Sequence, residues 1–404
     1  MLDHFERSLV LHEQLRGKIG VQSRVPLHNR GDLSVAYTPG VARPCEAIAL
    51  RPELARTLTI KGNTVAIVSD GSAVLGLGNI GALAAIPVME GKALLFKEFA
   101  GIDAWPLCIA TQNPDEIVET VRRIEPVFGG VNLEDIAAPR CFEIEQRLQD
   151  IGIPVFHDDQ HGTAIVLLAA LLNACRVLGR DIATMKVVIN GAGAAGTAIA
   201  RLLRCVGHDP SACVPVDDVV VCDSKGAIHR EVPGLADYKQ ELLAYTNRHD
   251  RRGKLLEVLE GADVFIGVSK GNLLDADAVR RMADHPVILA MANPIPEIMP
   301  DVARKAGAAI VGTGRSDFPN QVNNVLAFPG IFRGALDAGA TRINEEMKIA
   351  AARALAGCVE SPQPEQILPD PLDRTVAPRV AAAVAAVARS ATSPTTEAVL
   401  ESRR

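Results

Sequence analysis

Two aspartates stand between two histidines in HDDQHGTAIVLLAALLNA, the segment that runs from His157 to Ala174. The apolar residues that follow favour a helix, so the four polar side chains lie at its start. Two kinds of chemistry fit such a cluster. An aspartate before a helix can accept hydrogen bonds from the free N–H groups of the first turn. Carboxylates and imidazoles that converge can instead bind a metal ion, and this segment alone does not decide between the two.

A second segment, KVVINGAGAAGTAIARLL, has the pattern of a strand, a glycine turn and a helix. GxGxxG spacing in this position lets backbone N–H groups approach a pyrophosphate at a helix N-terminus. Tight packing of strand on helix without a ligand is the alternative, and the strand–turn–helix context favours dinucleotide binding. The predicted coenzyme-binding turn consists of Gly191, Ala192, Gly193, Ala194, Ala195 and Gly196.

The choice of coenzyme depends on the residues after the next strand, DVVVC, which ends at Asp223. An acid at this position accepts from the adenine ribose hydroxyls and favours NAD. Ser224 and Lys225 follow immediately, and either could hold the 2′-phosphate of NADP. The distance from the glycines exceeds the usual spacing of about 20 residues, and we interpret GHDPSACVPVDD as an inserted loop. The sequence leaves NAD and NADP both open.

Two further residues are candidates for proton transfer. Tyr37, one of three tyrosines, lies in the Pro/Gly turn YTPG, where a phenol either faces a cleft or simply packs. Lys92, in IPVMEGKALLF, is expected to precede an apolar strand. It is either a solvated strand end or a half-buried base whose pKa has fallen.

Acids and amides follow other predicted strands. Glu134 and Asp135 are adjacent in the apolar segment VNLEDIAAP, which suits either a helix start or turn, or a site. Asn293 in MANPIPE, and Asn323 and Asn324 in PNQVNNVLAFPG, lie at or beyond the ends of strands. Doubly wound sheets bind their ligands there.

The elements that must hold these residues alternate between strands and helices, which predicts an α/β fold. The first 30 residues look helical, and TVAIVSDG, KALLFKEFAGID and PLCIAT look like strands of an N-terminal α/β domain over residues 1–160. A Rossmann-like domain with a doubly wound parallel sheet is expected over residues 161–328. C-terminal helices over residues 329–390 are expected to pack back, and residues 391–404 to form a flexible tail.

Composition excludes several other classes. The 404 residues are 48% hydrophobic and 22% charged, with a net charge of −6 and no basic block, which argues against a nucleic-acid partner. No stretch approaches the roughly 18 apolar residues of a membrane span, and the N-terminus does not resemble a signal peptide. The eight cysteines form no CxxC pair, so we expect neither a disulfide framework nor a cysteine zinc site. A cytoplasmic protein without membrane or nucleic-acid partners is predicted.

In their order along the chain, eight motifs resemble those of the malic enzymes, and of the small bacterial type in particular. They are YTPG, VLGLGNIG, IPVMEGK, LED, FHDDQHGTA, GAGAAG, ANP and NQVNNVLAFPG, and the resemblance spans about residues 20 to 390. It implies oxidation of L-malate at C2 by NAD or NADP and loss of the C4 carboxylate, giving pyruvate and CO2. It also implies a requirement for Mg²⁺ or Mn²⁺ and a homodimer.

The resemblance assigns the metal site to Glu134, Asp135 and Asp159, whose oxygen ligands suit a hard cation. Asp158 would then support the ligand or contact the coenzyme side, and His157 and His161 would be supporting or packing groups. HDDQH has the histidine spacing of HExxH, but zinc is disfavoured: Asp replaces the Glu, and the segment precedes a helix rather than lying inside one.

The resemblance also assigns the proton transfers and the substrate contacts. Lys92 is the base that takes the C2 hydroxyl proton, and Tyr37 is the acid that protonates enolpyruvate at C3, in its own or its partner's site. Asn293 and Asn324, with Asn323 adjacent, hold the substrate carboxylate. One departure is Ala73, which stands where larger malic enzymes carry an arginine that grips malate.

Two rival classes remain. Another oxidative decarboxylase or 2-hydroxy-acid dehydrogenase would share the coenzyme turn, but a simple dehydrogenase needs no metal. A catalytically inactive nucleotide sensor would be indicated by loss of the tyrosine, the lysine or the acids, and all of these are present.

Overall fold

The computed structural model describes residues 4–392 and their side chains as far as residue 390. Two sheets organise these residues. The first contains four parallel strands in the order β2-β1-β3-β4, and the second contains six strands in the order β10-β9-β8-β5-β6-β7, of which β7 alone runs antiparallel to its neighbour. The strands are β1 (Thr64–Ser69), β2 (Asp103–Cys108), β3 (Gly130–Leu133), β4 (Val155–His157), β5 (Lys186–Asn190), β6 (Asp218–Asp223), β7 (Gly226–Ala227), β8 (Val264–Gly267), β9 (Val287–Ala290) and β10 (Ile310–Thr313).

Helices cover both sheets, which confirms the predicted α/β class with a doubly wound parallel sheet. They are α1 (His4–Leu15), α2 (Arg30–Ala36), α3 (Ala42–Leu50), α4 (Ala55–Leu58), α5 (Gly81–Ala100), α6 (Pro114–Ile124), α7 (Arg140–Arg147), α8 (Asp158–Leu178), α9 (Ala194–Leu203), α10 (Asp237–Leu242), α11 (Leu255–Val258), α12 (Ala276–Arg280), α13 (Pro300–Lys305), α14 (Phe328–Asp337), α15 (Glu345–Ala356) and α16 (Val376–Thr392).

The segment around Lys92 is helical, and its prediction as the start of a strand was wrong. Lys92 lies inside α5, whose buried residues include Ala85, Met89 and Phe96, at the three- to four-residue spacing of a helix. A short apolar run such as KALLF fits a strand or a buried helix equally well. The helix ends at Gly101, which adopts the left-handed conformation that glycine allows.

The longest helix of the described residues, α8, lies in the hydrophobic core. Contrary to the sequence analysis, it is long and apolar enough to resemble a membrane span, with a mean hydropathy of 1.6. Two thirds of that apolar stretch is buried inside the protein, where α8 packs against α9 and α15. Its apolar character therefore reflects contact with protein on most sides.

The inserted loop predicted before Asp223 is present between α9 and β6, and it contains a disulfide. Cys205 and Cys213 are bonded, with their Cα atoms 5.8 Å apart, while the other six cysteines are free. The sequence predicted no disulfide framework, and the structure contains this disulfide. Their pairing depends on the path of the loop, which the spacing of cysteines along the chain does not reveal.

The C-terminal helices pack on α5 and α8. An aromatic cluster joins α14 to the first sheet: the Phe96 ring lies 4.7 Å from that of Phe328 and 5.3 Å from that of Phe332, and Phe156 lies 5.8 Å from Phe332. Helix α16 packs on α14 and α15. The predicted flexible tail, residues 391–404, lies outside the residues whose side chains are described.

The N-terminal segment, residues 4–63, packs poorly on the rest of the chain. None of these residues is buried, although α1 to α4 belong to them. The predicted helix over the first 30 residues is only partly correct, because α1 ends at Leu15 and no further helix begins before Arg30. Large apolar side chains that are more than half exposed include Phe5, Leu9, Leu15, Val21, Val25, Leu27, Val35, Tyr37 and Leu50.

Candidate active site

A cavity of about 1260 Å³, here called the cleft, lies where the two sheets approach each other. The carboxyl ends of several parallel strands open into it, as expected for an α/β ligand site. Its lining combines acids that follow the first sheet with the glycine turn and asparagines of the second. The predicted residues in its lining are Asp135, Asp159, Gly191, Ala192, Gly193, Ala194, Ala195, Asp223, Lys225, Asn293, Asn323 and Asn324.

Three of the predicted acids converge because they follow neighbouring strands. Glu134 and Asp135 come directly after β3, and Asp159 comes two residues after β4, which pairs with β3. One carboxylate oxygen from each of the three lies within 4.8 Å of the others. The backbone N–H of Asp135 also donates to Asp159 Oδ2 at 2.8 Å. Asp135 adopts a φ of +55°, the left-handed region that Asp tolerates better than most residues.

The acid cluster is electrostatically unfavourable by itself. Burial, together with the charges of Asp159 and Glu134, raises the pKa of Asp135 to about 9. Burial and the charge of Asp158 outweigh the attraction of Lys92 and raise the pKa of Asp159 to about 6. Within the described residues, one buried oxygen of Asp135 has no hydrogen-bond partner. A hard divalent cation would neutralise this repulsion and use that oxygen, so the donor set fits Mg²⁺ or Mn²⁺.

Lys92 lies beneath the cluster. Its Nζ is 2.8 Å from Glu134 Oε1 and 2.6 Å from Asp158 Oδ2, and it stands 4.3 Å from the centre of the Phe328 ring. Burial alone would lower the pKa of Lys92, but the two carboxylates outweigh burial and raise it. The lowered pKa considered for a half-buried lysine is therefore not what this geometry produces: the ammonium keeps its proton while both carboxylates face it.

Asp158 connects Lys92 to the second sheet. Its side chain is fully buried, and the Oδ2 atom that faces Lys92 also accepts from the side-chain amide of Asn324. Asn323 instead accepts from the backbone N–H of Val325 at 3.0 Å, which caps the short turn that follows. Of the predicted asparagines, Asn324 is thus hydrogen-bonded to the carboxylate that faces Lys92, whereas Asn323 and Asn293 line the cleft without such a bond to the described acids.

The two histidines of the opening segment lie outside the acid cluster. His157 is fully buried, and within the described residues neither ring nitrogen has a hydrogen-bond partner. Burial lowers its pKa despite nearby carboxylates. His161 donates from Nε2 to Glu145, a residue of α7 that the sequence analysis did not identify. Neither imidazole is among the three groups that converge, which agrees with supporting roles.

The glycine turn has the geometry of a pyrophosphate site. Gly191 has a φ of +131°, which favours glycine, and a side chain on Gly196 would lie 1.7 Å from the carbonyl oxygen of Gly191. Gly193 faces open space, and α9 begins immediately afterwards at Ala194. Two glycines are therefore required by the turn itself, and the open face of the third leaves room for a ligand at the helix N-terminus.

Asp223 carries a partner that the sequence did not suggest. Its carboxylate lies 2.7 Å from Nζ of Lys239, on α10, and accepts from the backbone N–H of Lys225 at 2.8 Å. Lys239 lines the cleft together with Lys225 and Lys254. The end of the cleft expected to hold the adenine ribose is therefore not simply acidic. Lys239 lies 16 residues after Asp223 in an ordinary helix, and no motif marks it.

Tyr37 is not brought to the other predicted residues. It lies at the end of α2 on the N-terminal segment and is 66% exposed. Among the residues lining the cleft, none belongs to that segment. The structure thus brings Lys92, the acids and Asn324 together within one chain and leaves Tyr37 outside.

Comparison with known proteins identifies the family of this chain. A family model described as "Malic enzyme, N-terminal domain" matches residues 16–149, and one described as "Malic enzyme, NAD binding domain" matches residues 160–389. The chain is 57% identical to the bifunctional malic/malolactic enzyme of Bacillus subtilis, over 95% of this chain and 92% of that one. It is 53% identical to the NAD-dependent malic enzyme of Geobacillus stearothermophilus, over 94% and 78% of the two chains.

A longer relative is named for NADP instead of NAD. A solved structure has the same fold as this chain. The NADP-dependent malic enzyme of Escherichia coli is 49% identical over 95% of this chain, which covers 52% of that protein. The crystal structure of the NAD-dependent malic enzyme of Thermotoga maritima superposes with a TM-score of 0.89 at 48% identity, covering 95% of this chain and 99% of that one. The family models together span most of the chain, and the chain belongs to the malic enzymes, which oxidatively decarboxylate malate with NAD or NADP.

Proposed function

We propose that Glu134, Asp135 and Asp159 would hold a divalent cation in the cleft in which malate is oxidised and CO2 released. The observation that carries this proposal is the convergence of three carboxylate oxygens within 4.8 Å, beside a buried lysine and a dinucleotide turn. The test is malate-dependent reduction of NAD and NADP with and without metal. EDTA should abolish it and Mn²⁺ should restore it. Full activity in EDTA would contradict the proposal.

The cation, when bound, polarises the C2 oxygen and stabilises the negative charge left when the C4 carboxylate departs. The remaining work belongs to side chains of this protein. Lys92 takes the proton of the C2 hydroxyl as hydride leaves C2 for the nicotinamide. A cation that takes up Glu134 would leave Asp158 as the main anionic partner of Lys92 and would weaken the attraction that raises the pKa of the Lys92 ammonium. Asn324 orients Asp158 and reaches the substrate carboxylate, as Asn293 and Asn323 do from the cleft wall.

Tyr37 protonates enolpyruvate at C3, and we propose that it does so in the partner subunit of a homodimer. Residues 4–63 expose many large apolar side chains and bury none. In a monomer this apolar surface would stay in water, so folding the segment would gain little free energy. A second copy supplies the missing apolar cover and places the exposed Tyr37 turn against another subunit. The substrate sites are then completed in pairs.

Subunit mixing tests this arrangement. Tyr37→Phe and Lys92→Ala subunits, each defective alone, are co-expressed with different tags, and the mixed dimers are isolated. If Tyr37 acts in the partner, each mixed dimer has one site with both intact residues and regains part of the wild-type activity. If Tyr37 acts within its own subunit, no site is intact and the mixed dimers stay as inactive as the parents, which would contradict the proposal.

The cleft is proposed to accept both coenzymes. Asp223 suits the ribose hydroxyls of NAD, but its charge is balanced by Lys239, and the pKa of Asp223 is lowered because that ion pair outweighs burial. Lys225, with Ser224 beside it, can then receive a 2′-phosphate without facing an unpaired carboxylate. The measurement is the ratio of kcat/KM for NADP and NAD in the wild type. A site that excluded either coenzyme would contradict dual use.

A second activity, conversion of malate to lactate, is favoured by the 57% identity to a relative named as both a malic and a malolactic enzyme. After decarboxylation, reduced coenzyme and pyruvate occupy the same cleft. Lys92 would return its proton to the C2 oxygen as hydride from the reduced coenzyme reaches C2, which would give lactate and the oxidised coenzyme. Lactate formed in excess of the NAD supplied supports this activity, and pyruvate without lactate rules it out.

We propose that each sheet belongs to one domain. Residues 1–160 form the domain that binds malate, residues 161–328 form the domain that binds the coenzyme, and residues 329–390 form the helices that cover them. We also propose a cytoplasmic location. Six of the eight cysteines are free, which suits a reducing compartment, whereas the Cys205–Cys213 disulfide is a pairing that such a compartment disfavours.

A further inference from the structure

A single carboxylate from another helix holds the turn that opens α8. Glu145 lies on α7, and 13% of its side chain is exposed. Its Oε1 accepts from the backbone N–H of His157 at 3.1 Å, and its Oε2 accepts from the side-chain amide of Gln160 at 3.2 Å. Nε2 of His161 donates to both oxygens, at 2.9 and 3.0 Å. The three donors belong to residues that flank Asp158 and Asp159 along the chain.

This contact replaces the cap that a helix normally makes for itself. A helix start leaves N–H groups without acceptors, and a Glu or Gln three residues after the N-cap often accepts from the N-cap N–H. The N-cap of α8 is His157, which makes no side-chain cap bond. Gln160 occupies the reciprocal position but donates to Glu145, which accepts from the His157 N–H in its place.

The acids of the first turn are used elsewhere. Asp158 binds Lys92 and Asn324, and Asp159 accepts from the N–H of Asp135. Neither carboxylate therefore caps α8, and both point toward the cluster. An external carboxylate frees them from the capping role that the sequence suggested as an alternative.

We propose that Glu145 is a positioning residue that fixes Asp159 for the divalent cation without contacting the cation, the substrate or the coenzyme. The inference rests on the metal site proposed above. Glu145 lines a second cavity, of about 1250 Å³, whose lining includes Gln160 and His161 but neither Asp158 nor Asp159. Its hydrogen bonds hold the turn on both sides of Asp159, at His157 and at Gln160 and His161. Partners that orient a ligand in this way typically contribute about 10- to 100-fold in metal affinity or activity.

The surroundings of Glu145 keep its carboxylate negatively charged. Burial alone would raise its pKa, but attraction to His161, their hydrogen bonds and the ammonium of Lys348 outweigh burial and lower it to about 2. The carboxylate is therefore ionised at every pH at which the enzyme would be assayed. An amide in its place would lose the charge and turn one acceptor into a donor that faces other donors.

The test measures Mn²⁺ binding to Glu145→Gln by electron paramagnetic resonance, in the full-length protein without malate or coenzyme. The matched control is Glu143→Gln: it lies on the same helix and lines the same cavity, but it is half exposed and, within the described residues, its ion pair is with Arg147. The Kd for Mn²⁺ should rise about 10- to 100-fold in Glu145→Gln and stay unchanged in the control. NADH affinity and Tm, measured on the same samples, should remain close to wild type.

Three outcomes would overturn the inference. Wild-type Mn²⁺ affinity in Glu145→Gln would show that the turn keeps its geometry unaided. A parallel loss of NADH affinity and Tm would show that Glu145 supports the fold as a whole. If the wild type fails to bind Mn²⁺, the proposed metal site fails and this inference fails with it. If the wild type binds Mn²⁺ and Glu145→Gln binds it equally well, only this inference fails. Glu145→Asp keeps the charge but shortens the reach, so its Kd should be intermediate, and it provides the same readout if Glu145→Gln does not fold.

Discussion

Replacing Asp135 by Asn should stabilise the metal-free protein at alkaline pH while destroying its activity. The pKa of this carboxyl rises from its usual value of 3.8 to about 9 in the folded protein. Between these values the folded protein keeps a proton that the unfolded chain has lost. Folding therefore takes up a proton, and stability falls as pH rises through this window. Asn keeps the shape, carries no charge and tolerates the left-handed backbone at this position.

The size of the effect follows from the shift. Each pH unit inside the window costs about 1.4 kcal/mol, so the wild type should lose about 2 kcal/mol between pH 7 and pH 8.5 from Asp135 alone. Asp158 and Asp159, with pKa values of about 7 and about 6, add to the slope mainly at lower pH. The raised pKa of Lys92 adds no slope here, because its contribution is fully present below 10.5 and is lost only above that value.

The assay is urea unfolding of both proteins at pH 7 and pH 8.5, in EDTA and in saturating Mn²⁺. In EDTA the wild type should lose stability with pH and Asp135→Asn should lose much less. Mn²⁺ should flatten the wild-type slope, because the cation binds the ionised carboxylates, and should leave the variant unchanged. Asp150→Asn is the control: it removes a carboxylate whose side chain is 72% exposed and should follow the wild type. Parallel pH profiles of wild type and Asp135→Asn in EDTA would refute the reasoning.

Four further predictions concern catalysis and coenzyme choice. Asp159→Asn should lower malate turnover by orders of magnitude with little change in NADH affinity, and near-normal turnover would remove it from the metal site. Lys92→Ala should cripple malate oxidation by about 10²- to 10⁴-fold, with partial rescue by a small amine. Tyr37→Phe should still bind malate and coenzyme but fail to incorporate deuterium at C3 when enolpyruvate is supplied, and normal incorporation would end its role as the acid. Lys225→Ala and Lys239→Ala should each weaken NADP selectively, by about 1.5 to 3 kcal/mol per charge-assisted contact, and an unchanged NADP/NAD ratio would mean that the phosphate is held elsewhere.

Features that depend on neighbours along the chain were predictable from the sequence. The glycine turn is an example, because the strand, the turn and the start of α9 all lie within one short segment. The acids after β3 and β4 were identified by their motifs, and their convergence follows from the pairing of those two strands. Lys92 was assigned to the wrong element because a short apolar run fits both kinds of secondary structure.

Features that depend on distant partners were not predictable. Glu145 reaches the start of α8 from a different helix, and Lys239 reaches Asp223 across 16 residues of chain. Neither residue stands in a pattern that distinguishes it from a solvated surface charge. The Cys205–Cys213 disulfide was missed for the same reason, since only the folded loop brings the two thiols together. The poor burial of residues 4–63 likewise appears only once the fold shows what does not cover them.

The aromatic cluster that joins α5 to α14 has a consequence for how the protein is made. Phe96 and Phe156 are synthesised early, but their ring partners Phe328 and Phe332 lie far towards the other end of the chain, roughly 240 residues after Phe96 in the case of Phe332. At about 5 to 20 residues per second, a nascent chain waits on the order of 10 to 50 s with that apolar face uncovered. The first sheet is therefore expected to leave the ribosome incomplete and in need of chaperone protection until α14 emerges. Ribosome-bound chains that end before residue 328 should be bound by chaperones and cut by protease within the first sheet, and chains that extend past α14 should resist both.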